Sequence, residues 1–194
     1  MHGLVNCAIE RFVRTTYGDQ QWRTICAAAA LPEQRFEPLL TYSDDITQAI
    51  ITSASQILKR SAEELLEDLG SSLITGTDDA VVATRRLLRF SGDGFVDFLY
   101  GLDDLPDRIA LAVPDLRLPE LSVQESRPDL FLVRAGRGWP GFLQVIRGVL
   151  RAMADEYGVL VLIDLSDDGP EIALEVQVIE ISYAAGRAFT LRAG

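Results

Sequence analysis

The chain has 194 residues, 48% hydrophobic and 24% charged, enough for one domain with a real core and too apolar for a disordered segment. Eighteen basic residues against 29 acidic ones give a net charge of −11, which argues against nucleic acid and anionic membrane surfaces as main partners. The single histidine, His2, excludes a histidine-rich metal site and any triad whose base is an interior histidine.

Residues 1 to about 118 read as helices. Leu4, Val5, Ala8, Ile9, Phe12 and Val13 share one face of a first helix, which Tyr17-Gly18-Asp19 ends. A short second helix carries Trp22, Ile25 and Cys26, and Pro32 and Pro38 bracket a loop. Asp44 or Asp45 is the expected cap of a third helix with the stripe Ile46, Ala49, Ile50, Ala54, Ile57 and Leu58. Ser61 and Glu64 form a capping box for a fourth, with Leu65, Leu66 and Leu69 apolar and Gly70 the expected stop. Thr77-Asp78-Asp79 opens a fifth, running through Leu87 and Leu88. Ser91-Gly92-Asp93-Gly94 is a turn before a sixth, with Phe95, Phe98, Leu99 and Leu102, and a short seventh begins near Pro106 and ends before Pro114.

From about residue 119 the period changes. Leu121 to Ser126 and Leu130 to Ala135 read as strands around an Arg127-Pro128-Asp129 turn. Phe142, Val145, Ile146, Val149, Leu150 and Met153 mark one long amphipathic helix. Val159 to Leu165 is a strand-length apolar run, followed by the turn Asp167-Asp168-Gly169-Pro170. Ile172, Leu174, Val176 and Val178 alternate with polar or small neighbours, and the parity shift at Ile179 and Ile181 predicts a bulge. Phe189 to Arg192 is the expected final edge strand. The fold class is α+β: a helical half, 1–118, and a half of meandering antiparallel strands with one long helix, 119–194, within a single domain.

Chemistry-bearing patterns are sparse. Cys7 and Cys26 make neither a disulfide framework nor a zinc cluster. Ser53, Ser55 and the two cysteines have no patterned histidine base, and Gly92-Asp93-Gly94 is too short for a phosphate loop, so no enzyme is expected. The pairs Asp44-Asp45, Asp103-Asp104 and Asp167-Asp168 suit caps and turns. Neither a signal peptide nor an 18-residue apolar run is visible, so the expected location is cytoplasmic, without membrane insertion. Of the 18 basic residues only Lys59 is a lysine, a bias expected of a GC-rich bacterium.

Met1-His2-Gly3-Leu4-Val5-Asn6 with Ala8-Ile9, then Tyr17-Gly18-Asp19 and Trp22, form an ordered series of short motifs. It continues in Tyr42-Ser43-Asp44-Asp45, Ala54-Ser55, Ala62-Glu63-Glu64-Leu65-Leu66 and Leu102-Asp103-Asp104-Leu105, and ends in Pro114-Asp115-Leu116-Arg117-Leu118-Pro119. In order and spacing the series resembles the heme nitric oxide/oxygen binding (H-NOX) family, which includes the sensor domain of soluble guanylate cyclase. The resemblance implies a heme cavity between the two halves, with iron held by one histidine on the seventh helix. That histidine follows the leucine matching Leu105, and here the position is Pro106, which has no donor atom for iron. The family's propionate-gripping Tyr-x-Ser-x-Arg pattern falls on Leu132, Arg134 and Gly136, none of which matches; Arg134 and Arg137 remain as carboxylate partners. Pro119 corresponds to the proline that presses on the heme ring. Val5, Ile9, Leu73, Phe142 and Ile146 correspond to the distal lining and are all apolar.

The resemblance therefore implies a stand-alone sensory domain with a degenerate heme site. No cofactor is expected, and the pocket is expected to be filled by side chains or by a lipid-like apolar ligand. The alternative is a heme-based gas sensor with unusual ligation, for which His2, near the distal face by resemblance, is the one histidine on offer. Such domains signal by relative motion of their halves to a histidine kinase or a cyclic-nucleotide enzyme, here expected to be a separate protein.

Overall fold

Gly18 makes the first corner. At φ +91° it adopts a backbone conformation open to glycine, and there α1 (Gly3–Tyr17) ends and α2 (Asp19–Ala28) begins. The computed structural model describes residues 1–31, 35–89, 92–166 and 172–181. Pro32, Ser91, the turn expected at 167–170 and the strand expected at 189–192 lie outside these described residues.

Helix α3 (Asp44–Leu58) is capped by Ser43, whose side chain accepts from the Asp45 N–H, and not by either aspartate. Asp44 and Asp45 occupy the first turn instead, where their charge meets the positive end of the helix dipole. The Ser61/Glu64 capping box starts α4 (Ala62–Thr75) as expected. Gly70 does not stop this helix. It lies in its interior because the backbone of α8 (Phe142–Tyr157) crosses there: a Cβ on Gly70 would stand 2.0 Å from the Val145 carbonyl oxygen. The approach is reciprocal, since a Cβ on Gly148 would stand 1.9 Å from the Glu67 carbonyl oxygen. Around this crossing Ser71 Oγ donates to the Gly148 carbonyl at 3.1 Å, and Arg147 and Arg151 reach Glu67 at 3.5 and 2.6 Å. Helices α5 (Asp79–Arg89), α6 (Phe95–Tyr100) and α7 (Leu105–Ala112) follow. Glu156, 7% exposed on α8, accepts ion pairs from Arg85 (3.6 Å) and Arg89 (3.2 Å) and so ties α5 to α8.

The sheet contains β1 (Leu121–Arg127), β2 (Leu130–Ala135), β3 (Leu160–Ser166) and β4 (Ala173–Glu180), every pair antiparallel. Its order is β1-β2-β4-β3, not the sequential order of a meander. The chain leaves β2 through α8 and re-enters at the far edge as β3, and β4 then fills the gap. Crossing by a helix makes this arrangement accessible, because a hairpin can join only neighbours. The expected bulge is present: Leu160 pairs with Glu180 and Val161 with Val178, so Ile179 is the extra residue.

Two apolar cores result. One holds Trp22, Ile25 and Ile50 among α1 to α4; the other packs Phe95, Phe98 and Leu99 with Leu150 and Met153 of α8 against Phe131, Val133, Leu174 and Val176 of the sheet. Helix α4 belongs to both, through Leu65, Leu66 and Leu69 in the first and Ile74 in the second.

Candidate functional site

A cavity of about 450 Å³ is walled by α1, α4, α7 and α8. Helical spacing produces each wall. Helix α1 presents Leu4, Val5, Ala8 and Ile9; α4 presents Leu66, Leu69 and Leu73; α8 presents Phe142, Val145, Ile146 and Val149. Helix α7 contributes Leu105 and Ile109, one turn apart. Trp139, Pro140 and Gly141 lead into α8 and add a rim. The polar lining consists of Cys7, Arg11, Thr47, Thr84 and the indole of Trp139.

Five of the positions singled out from sequence, Val5, Ile9, Leu73, Phe142 and Ile146, come together on this cavity. The others stand outside its lining. Pro119 is buried against Gly138, whose added Cβ would lie 2.5 Å from the Pro119 ring. Pro106 is half-buried in the first turn of α7, beside Leu105. On β2 the core-facing set is Phe131 and Val133, with Ala135 packed behind them, so Leu132 and Arg134 project from the opposite face. Gly136 is exposed and bonds through its N–H to the Glu120 carbonyl at 2.7 Å. His2 caps α1: its Nδ1 accepts from the Leu4 N–H at 3.2 Å, with the ring buried. Sequence reasoning missed Arg11, Leu105, Ile109 and Trp139. The signal for Arg11 was its position one turn beyond Cys7 on the face that carries Leu4 and Ala8.

A family model described as Haem-NO-binding (HNOB) matches residues 2–164. The chain belongs to the haem-NO-binding family. Soluble guanylate cyclase gcy-31 of Caenorhabditis elegans is 25% identical over 186 residues, covering 94% of this chain and 26% of that protein. Gcy-32 of the same organism is 27% identical over 161 residues, covering 79% of this chain and 23% of that protein. The chain thus spans about a quarter of the length of these curated relatives. Among solved structures, an Fe(II) unliganded H-NOX protein from K. algicida superposes with a TM-score of 0.76 at 15% identity, covering 95% of this chain and 100% of that one. An H-NOX protein from S. oneidensis in the Fe(II)NO state gives 0.75 at 14%, covering 93% and 100%. These likenesses establish the H-NOX fold.

In this member of the haem-NO-binding family the cavity wall carries few donor atoms. Cys7 Sγ donates to the Phe36 carbonyl at 3.1 Å. Burial, then Glu10 and Glu37, push this thiol above the usual range, so it stays protonated, whereas metals bind the thiolate. Thr47 donates to Asn6 Oδ1 at 2.7 Å and Thr84 to the Ala80 carbonyl at 2.9 Å. No group of three or more histidine, cysteine or acidic side chains suited to a metal occurs among the described residues. No helix among them is long and apolar enough to cross a membrane.

Proposed function

We propose that this is a haem-NO-binding-family sensory domain that works without heme and takes an apolar small molecule in the cavity. One observation carries the reading: α7, the family's iron-bearing helix, turns only the hydrocarbon side chains of Leu105 and Ile109 into the cavity. The residues present do not fit heme. Proline at 106 cannot ligate iron, and His2, the chain's one histidine, spends Nδ1 on the α1 cap outside the lining. Met1 lines the cavity, but a methionine thioether holds heme iron in partnership with a histidine. The core-facing residues of β2 supply no tyrosine, serine or arginine for propionates, and neither does the notional set Leu132, Arg134 and Gly136 reach the cavity.

The size of the cavity favours an occupant. Its lining is mostly hydrocarbon, so an apolar occupant would remove that surface from water. Water finds few partners on such a hydrocarbon wall. Scaled from the ~150 Å³ that holds a benzene, the space suits on the order of 18 carbon atoms. Helices α4 and α8 are locked together at their glycines, so occupancy acts on α1 and α7, the walls outside that crossing. The signal passes to a histidine kinase or a cyclic-nucleotide enzyme.

The test is to add ferrous heme to the purified protein and record the absorption spectrum, alongside native mass spectrometry of the untreated protein. The expected result is no stoichiometric Soret-shifted complex. A tight one-to-one complex would overturn the proposal.

A further inference from the structure

The charge of the cavity wall is at odds with that of the chain. Twenty-nine residues are acidic, yet none of the described lining residues is, and Arg11 is the only charged side chain among them. Cys7 and Arg11 also border a second hollow of about 360 Å³ that contains Arg14 and Arg35. The apolar chamber therefore adjoins, at Arg11, a hollow lined by two further arginines and one acid, Glu10. Arg14 is engaged by Glu10 at 2.9 Å and by Asp19. Arg11 gives Nη1 to Asp78 at 3.2 Å, and the two side chains are 32% and 52% exposed. A guanidinium has five N–H donors, so this one contact leaves capacity for a second acceptor.

We infer that the ligand is a single-chain amphiphile with an anionic head, carboxylate or phosphate, whose tail fills the cavity and whose head pairs with Arg11. The inference rests on the heme-free reading above. A neutral head would gain nothing from the guanidinium, and a cationic head would be repelled by it: no acid is among the described residues lining the cavity, and the acids nearby are already engaged, Glu10 by Arg14 and Asp78 by Arg11. The fork of Arg11 suits the paired oxygens of a carboxylate or phosphate. Asp78 is the built-in competitor. Its Oδ1 also accepts from the Val81 N–H at 3.0 Å at the start of α5, a capping role that asparagine can fill.

The experiment titrates the purified, lipid-stripped full chain with tetradecanoate, tetradecyl phosphate, tetradecanol and tetradecyltrimethylammonium, each below its micelle concentration. Binding is read by calorimetry and by the fluorescence of Trp139 on the rim. At least one anion should bind about tenfold or more tighter than the alcohol, the size of a charge-assisted hydrogen bond, with the ammonium weakest. Which anion binds tighter identifies the head. Arg11→Ala should close the gap between anion and alcohol, Arg11→Lys should restore part of it, and Asp78→Asn should widen it. Equal binding of alcohol and anions, a gap that survives Arg11→Ala, or no binding of any probe overturns the inference. The heme titration decides the heme-free reading separately.

Discussion

Replacing Gly148 by alanine tests the helix crossing on which the cavity rests. In an isolated helix this change stabilises by about 1 kcal/mol, because glycine gives up more backbone freedom on folding. In this fold the new methyl would stand 1.9 Å from the Glu67 carbonyl oxygen and 2.8 Å from the Ser71 nitrogen. Both are backbone atoms, so no side chain can swing aside. Contact distance requires α4 and α8 to separate by more than an ångström (roughly 1.5 Å), which strains both cores because α4 belongs to each. Overpacking of this kind costs about 3 kcal/mol or more. After the propensity gain the net loss is about 2 kcal/mol or greater, or roughly 4–8 °C in Tm for a chain of this length. Urea unfolding followed by far-ultraviolet circular dichroism measures it, and the midpoint should fall by about 1 M at a typical slope. A neutral or stabilised variant would refute the close approach, since propensity alone predicts that sign.

Glu156→Ala should destabilise by about 2 kcal/mol in the same assay, because it removes the acid shared by Arg85 and Arg89, each only 17% exposed, while Arg85 keeps the Gly76 carbonyl and Arg89 the Tyr157 ring. His2→Ala should cost about 1 kcal/mol through the lost α1 cap and leave heme uptake unchanged; a change in a heme titration would instead assign His2 to iron. Cys7 should react with iodoacetamide at neutral pH far more slowly than a free thiol, since burial holds it protonated. Its raised folded pKa means that stability is intact below the ordinary thiol pKa and falls as pH climbs past it; Cys7→Ser should flatten that decline on the alkaline side of the ordinary thiol pKa, and an unchanged profile would refute the assignment.

Local chemistry made much of the fold legible. The Ser61/Glu64 box, the Gly18 corner and the Ile179 parity break each act over a few residues, so the sequence alone placed them correctly. The choice between Ser43 and its aspartate neighbours was not legible in the same way, because all three are good caps and only the backbone path selects one. The family resemblance came from motif order along the chain, and the Haem-NO-binding match over residues 2–164 agrees with it. Of the site, the apolar lining on α1, α4 and α8 was legible from resemblance, whereas Arg11 and Trp139 were not.

By itself the sequence determined the eight helices and four strands of the described residues, the family and the absence of any histidine but His2, because these follow from near-neighbour patterns and counts. The tertiary structure alone decided three things. Gly70 is a contact point between helices and not an end, because the surface that demands a missing side chain lies 75 residues away at Val145 (a separation read from the numbering). Strand β3 takes the far edge, because α8 carries it there. In an acidic chain the described residues lining the cavity include Arg11 and no acid, because charge on a wall depends on which helix faces meet, and net composition does not specify that.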